Sequence, residues 1–311
     1  MTAKVETKKR HSKYGPLAIG PFGNTVICII LTIFCLACVL PLLLVYITSF
    51  TDELAITRNG IGFFPETWSL EAYRMLFGRS LNKIIYAYRT TILLTVLGTF
   101  LSLWFMTMFA YACSRKDFKL RQPLTFFAYF TMLFSGGLVA SYMINAHILG
   151  LKDTYWALIL PICCSSFYCI IMRTFFQTTV PDAIIESAKI DGARMIRIFV
   201  QIVLPISLPA IATIGLFLTF AYWNDWMMAK YYISGNKHDL FPLQYVLISL
   251  EENISFLTRN SQNMTAGTAT NIPSETVRMA MVVVSVVPIA LSYPFFQKYF
   301  VSGLTIGAVK G

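Results

Sequence analysis

Charge is scarce in this chain. Of its 311 residues only 13% are Asp, Glu, Lys or Arg, while 56% are hydrophobic and the mean hydropathy is +0.63. A soluble domain carries roughly 25% charged residues, so the composition points to the membrane class. Acidic residues are the rarer sign, 15 against 25 basic ones. The resulting charge of +10 could suggest a nucleic-acid binder. That role needs a basic stripe on a soluble face, whereas here the charges lie between apolar blocks, as loop charges that set topology and meet anionic lipid do. Histidine is also scarce: His11, His147 and His238 are scattered without metal-ligand spacing, and no nucleophile–base pair is visible. A Walker A sequence is missing, because Gly303, Gly307 and Lys310 lack the G-K-[ST] ending that cradles phosphates. Seven cysteines are present, but six of them (Cys28, Cys35, Cys38, Cys163, Cys164, Cys169) sit inside apolar runs and Cys113 ends one. They read as small packing residues, the Cys35/Cys38 pair included, with no disulfide framework.

Long apolar runs are what the chain does have. Six stretches approach the roughly 20 residues that cross a hydrocarbon core: 25–50, 90–111, 124–144, 154–172, 206–227 and 279–296. Asp225, at the outer end of the fifth, is their only charged residue. The first run is longer than a signal-peptide core and lacks a small-residue cleavage site, so a retained helix is expected. The expectation is an all-α polytopic membrane protein with six transmembrane helices and both termini cytoplasmic. Basic residues set that orientation. The tail 1–24 holds Lys8, Lys9, Arg10 and Lys13. The segment 114–121 holds Arg115, Lys116, Lys119 and Arg121, and the loop 173–205 holds Arg173, Lys189, Arg194 and Arg197. The transmembrane domain is expected over 25–296, with external loops 51–83 and 229–275 and a cytoplasmic tail 297–311. In the first external loop Thr67 or Ser69 could cap the amphipathic run from Leu70. The second is polar from 260 to 271, and a partly ordered external lobe is expected. Arg89 and Arg278, at outer helix ends, could draw an acidic solute or snorkel to headgroups.

The loop 173–205 is the unusual one. Pro181 and Asp182 suit a helix start, Gly192 can take the left-handed conformation that ends a helix, and a second short helix is expected from Ala193 until Pro205 breaks it. The small residues Ser187, Ala188 and Ala193 permit close approach of a partner, and Glu186 and Asp191 offer it charge. By spacing alone this could be a well-structured connection and nothing more. The residues, however, resemble the EAA loop of ABC-importer permeases. Glu186-Ser187-Ala188 is followed after three positions by Gly192, and after nine more by Ile202 and Leu204-Pro205. Ser187 for the first Ala is the one departure. Arg173-Thr174-Phe175-Phe176-Gln177 and Trp223-Asn224-Asp225 look like the carbohydrate-uptake, maltose-type group. Phe134-Ser135-Gly136-Gly137-Leu138 and the tail 297–311 look like a narrower subgroup that imports sugars from complex polysaccharides. That subgroup often has a Pro near Val139-Ala140, which this chain does not.

The resemblance implies a type I ABC-importer permease fold in a bacterial plasma membrane, with no cofactor in this chain. It implies a heterodimer with a second homologous permease, a separate ATPase dimer that uses MgATP, and an extracellular solute-binding protein that delivers a carbohydrate. Glu186, Ser187, Ala188, Asp191, Gly192, Ala193, Leu204 and Pro205 would then couple to the ATPase. For the solute path, Tyr222, Trp223, Asn224 and Asp225 combine aromatic faces with hydrogen-bonding groups, as a sugar site requires; an interfacial aromatic belt would look the same. Ser135, Tyr142 and Asn145 are further candidates. Rival readings are a permease for another small solute such as a glycerol phosphate, a lone channel, or a membrane-embedded enzyme. An enzyme would need ionisable residues inside the spans, and a lone channel has no use for an EAA loop.

Overall fold

Chains this apolar bury backbone polar groups only by closing hydrogen bonds within each segment, so helices are the expected solution. The computed structural model describes residues 21–263 and 274–297. It is helical throughout, with a single isolated bridge pair, Thr51–Trp68, among the described residues. Most of both expected cytoplasmic tails lies outside them.

The order begins with α1 (Pro21–Ser49), a short outer helix α2 (Glu53–Asn59), and α3 (Glu71–Ser114). Next come α4 (Arg121–Leu133), α5 (Gly137–Tyr142) with a π-helical turn Met143–Ile148, α6 (Tyr155–Cys163) and α7 (Ser166–Thr179). The inner loop supplies α8 (Asp182–Ile190), then α9 (Met195–Ile198), which runs on through a π segment Phe199–Val203 into α10 (Leu204–Ile206). Last are α11 (Leu208–Asn224), α12 (Met227–Tyr232), a 3-10 turn His238–Leu240, α13 (Leu243–Asn263) and α14 (Glu275–Ala290).

Among the described residues three helices are long and apolar enough to cross a membrane: Pro21–Ser49, Leu81–Ser114 and Glu275–Gln297. Two bent pairs raise the number to five. α6 and α7 meet at 49°, and the α9–α10 rod, Met195–Ile206, meets α11 at 79°. The expected third span, 124–144, is not one helix. Ser135, Gly136 and Gly137 interrupt it: Gly137 takes φ +77°, outside the right-handed helical region, and its N–H goes to Ser135 Oγ at 3.2 Å. The expected start at Leu70 and the second span merge into the single 44-residue α3, where Ser69 Oγ accepts the Glu71 N–H at 3.1 Å. Pro205 does not stop its helix. A proline cannot donate to the carbonyl four residues back and crowds it. The chain is π-helical just upstream, and the helix ends instead at Ser207.

α1 packs beside α14 and buries only Thr48 and Ser49. Its exposed Ile, Leu, Val and Phe side chains suit lipid. The remaining helices gather around α3, with three buried clusters along it. The inner cluster joins Met106, Ala110 and Tyr111 of α3 to Met172 and Phe176 of α7, Ile185 of α8, Ile198, Phe199 and Val203, and Ile214 and Leu218 of α11. The outer cluster joins Ala72, Leu76, Ile84 and Ala87 to Trp223, α13 and α14. A third ties Leu94 to α6, α12 and the 3-10 turn. Gly98 marks a close crossing, because a Cβ there would lie 2.6 Å from the Tyr222 ring. At the end away from the cluster that holds Ile185 of α8, Glu53 of α2 caps α14. Its carboxylate accepts the N–H groups of Ser274, Glu275 and Thr276 at 3.1, 3.0 and 2.9 Å, and the Thr276 hydroxyl at 2.7 Å. This satisfies donors that every helix start leaves open.

Candidate functional site

The loop 173–205 folds into a compact elbow. α8 begins after Pro181 (φ −62°, ψ 135°), with Asp182 in its first turn. At its other end the Ala193 N–H returns to the Ala188 carbonyl at 2.9 Å, and the Gly192 N–H to that of Lys189 at 3.0 Å. That pair of bonds is a Schellman closure, which places the residue after the cap in the left-handed region; Gly192 has φ +77°. The elbow rests on the inner cluster through Ile185, with Ala188 and Ala193 packed against it. Glu186, Ser187, Asp191 and Gly192 are exposed. Glu186 makes no ion pair among the described residues.

Two ionic contacts hold α8 to the segment after α3. At its start Asp182 receives Lys116 at 3.0 Å and Arg115 at 3.4 Å. At its end Lys189 meets Asp117 at 2.6 Å. Arg115 is the fixed member. Its side chain is only 8% exposed. It also donates to Ser114 Oγ and the Phe176 carbonyl, and its guanidinium lies over the Tyr111 ring. The Lys116 hydrogen bond and charge hold the Asp182 carboxyl below its ordinary range, and the Lys189 hydrogen bond does the same for Asp117. Reciprocally, Asp117 raises Lys189.

The elbow also carries apolar residues that sequence reasoning passed over. Ile190 is 86% exposed and Ile196 78% exposed, one on each side of the Gly192 turn, with Ile184 and Met195 nearby. Large apolar groups bare on a loop are what an interaction surface presents. The signal was present as isoleucines beside a turn glycine, positions a free loop fills with polar residues. Leu204 and Pro205 lie in α10, away from the turn, where Leu204 packs on the inner cluster.

The residues expected to line a solute path do not converge. Tyr222 is 2% exposed, and its hydroxyl is committed to Ser102 Oγ at 2.9 Å and the Ile159 carbonyl at 3.0 Å. Trp223 is 5% exposed and donates to the Ser285 carbonyl at 3.1 Å. Both rings tie α11 to its neighbours inside this chain. Asp225 accepts the Met228 N–H at 3.4 Å and so caps α12. Tyr142 stacks on Tyr232, centroids 5.7 Å apart, and Asn145 reaches the Tyr232 hydroxyl at 3.4 Å. Ser135 is exposed at the break before α5. Asn224 is exposed and accepts from Gln244 of α13 at 3.3 Å. Arg278 has partners within this chain. Glu275 at 2.7 Å, Ser255 at 2.9 Å and Glu251 at 3.7 Å hold it.

No protein-family model matches the chain. It is 41% identical over 282 residues, 90% of its length and 96% of the relative's, to the polygalacturonan/rhamnogalacturonan transport system permease protein YtcP of Bacillus subtilis (strain 168). It is 28% identical over 293 residues to the maltodextrin transport system permease protein MdxG of the same organism, covering 90% of this chain and 94% of that one. Among solved structures it superposes with a TM-score of 0.74 and 30% identity on a chain of a bacterial ABC transporter involved in the import of the acidic polysaccharide alginate, covering 92% of this chain and 100% of that one.

Proposed function

The chain belongs to the permease subunits of ABC-type sugar importers, and from that premise we propose that it passes an oligosaccharide, delivered by an extracellular binding protein, across the plasma membrane. It is a transport subunit and not an enzyme; ATP is hydrolysed in a separate subunit. The family implies that ATPase, a second permease and a binding protein as partners. The polysaccharide-derived sugars in the relatives' names favour carbohydrate over a glycerol phosphate.

In this reading α4, α5 and the π turn behind them form the sixth crossing, and both termini are cytoplasmic. α8 and its turn dock on the ATPase dimer, which binds MgATP. The Glu186 carboxylate pairs with a basic group there, while Ile190 and Ile196 supply the apolar contact and Asp191 the rim charge. Ser187, Ala188 and Ala193 keep the approach close. Leu204 and Pro205 carry the motion of the elbow into α11. Closure of the ATPase dimer draws the elbow along and turns the permease outward, a rigid-body switch at an interface. For the solute path, Asn224 and Ser135 keep exposed polar groups, whereas Asp225 and Tyr142 hold neighbouring segments in place.

The observation that carries the proposal is the elbow itself: a helix closed at Gly192, seated on the core by Ile185 and bare on its opposite side. The test is to purify the protein with its co-encoded partners and measure ATPase activity against binding protein loaded with neutral or acidic oligosaccharides. Stimulation by one loaded form supports the importer and names its sugar. Failure to co-purify with any ATPase would sink the docking role.

A further inference from the structure

Ser285 is a lone hydroxyl in a run of valines, Val282, Val283, Val284, Val286 and Val287. Polar groups at such a depth face the interior of a bundle or a wet cavity, not lipid. Gln244 of α13 donates one amide nitrogen both to Ser285 Oγ and to Asn224 Oδ1. Seven residues further along α13 stands Glu251, and seven residues before Ser285 on α14 stands Arg278, which pair with each other. A spacing of seven returns to the same helix face, about 10 Å along it. The antiparallel helices α13 and α14 therefore carry two polar rungs, Gln244–Ser285 and Glu251–Arg278. Between the rungs the wall is apolar, with Leu247 and Ile248 on one side and Met281 and Val282 on the other. A cleft of about 310 Å³ lies there, lined by both rungs.

An apolar floor between hydrogen-bonding ends matches a pyranose ring, which has apolar faces and hydroxyl edges. The volume sits at the small end of small-molecule sites, about 300–1,000 Å³. The charge selects further. Arg278 is already opposed by two carboxylates, Glu251 of the rung and Glu275 beside the cleft, so the three together are net negative. A neutral ring gains hydrogen bonds to the rung, whereas the carboxylate of a uronate meets like charge. Taking the proposed importer function as its basis, we propose that the α13–α14 cleft is a subsite for a neutral sugar ring on the path through this subunit, and that it rejects uronate rings. In a mixed oligosaccharide the acidic units are then held elsewhere.

The test uses the whole importer in proteoliposomes, with both permeases, ATPase and binding protein, and two labelled probes, maltotriose and trigalacturonate. Gln244→Leu, which removes hydrogen bonds and keeps the floor, should raise the KM for maltotriose about tenfold. Val282→Trp, which fills the cleft, should abolish maltotriose import in a complex that still assembles. Glu251→Gln should shift the uptake ratio toward trigalacturonate. Import of trigalacturonate alone by the parent importer, or parental maltotriose kinetics in both Gln244→Leu and Val282→Trp, overturns the subsite and leaves the importer reading standing. Import of neither probe overturns the neutral-ring subsite, and the importer reading falls with it only if no ATPase co-purifies with the complex.

Discussion

The turn at Gly192 allows a clean test of coupling. Its φ is +77°, and a Cβ added there would find no atom within 4 Å. A substitution therefore meets no neighbour, and its whole cost is the backbone conformation. For an L-residue that cost is about 1–2 kcal/mol, enough to lower the population of the native turn roughly 5- to 30-fold. Asn tolerates the left-handed region far better than Ala does. Gly192→Ala should thus weaken ATPase stimulation by loaded binding protein severalfold, while Gly192→Asn restores most of it. Both variants should remain in the membrane, because the inner cluster under α8 is untouched. The measurement is stimulated ATPase activity and sugar moved per ATP in the reconstituted importer. Equal activity of Gly192→Ala and parent, or equal damage in the Ala and Asn variants, would refute the argument that the left-handed turn sets the elbow.

Four further outcomes are expected. Reversing the Lys189–Asp117 pair, by Lys189→Asp with Asp117→Lys, should restore coupling that either single change reduces, measured as stimulated ATPase activity. Asp117 and Asp182 are held below their ordinary 3.8, so their contribution is complete above that value and is lost only as pH falls through the lowered values. The clamp should therefore respond to salt, and not to pH, across the neutral range; a titration step near neutrality would count against it. Gly98→Ala should destabilise the protein by about 1–3 kcal/mol despite a helix-propensity gain of up to about 1 kcal/mol, since Tyr222 is pinned by two hydrogen bonds and cannot retreat; an unchanged melting temperature would contradict this. Glu53→Gln should cost about 1–2 kcal/mol, read as a lower melting temperature, because an amide oxygen cannot serve the α14 start as a carboxylate does.

The elbow was legible from Asp182 to Gly192 because its information is local: a helix start, a spacing and a turn residue. Its clamp was not, because Asp182 and Lys189 find their partners more than sixty residues away, in a segment that reads only as topology charge. The packing of the aromatic cluster in α11 was hidden for a related reason. Position in an apolar run gives depth, but Tyr222 and Trp223 face inward only because Gly98 lets α3 approach and because the Ser285 carbonyl is there to accept. Pro205 was read as a stop because it removes a donor; the π segment before it shows that the helix has another way to absorb the loss. Ser285 was the readable signal left unread, one hydroxyl among valines.

The length of α3 has a mechanical consequence. Its inner end leads directly into Arg115 and Lys116, which grip α8, and its outer part carries Tyr73 and Tyr88, which bond to Ser49 and the Val284 carbonyl. Gly98, where Tyr222 presses close, divides the helix into arms of about 24 Å inward and about 40 Å outward. A tilt about that contact acts as a see-saw with unequal arms. Each ångström of travel at the inner end becomes about 1.7 Å at the outer end, in the opposite direction. In the importer proposed above, an inner and an outer mouth linked to this one rod would not widen together, and alternation between them would follow from the rod's continuity.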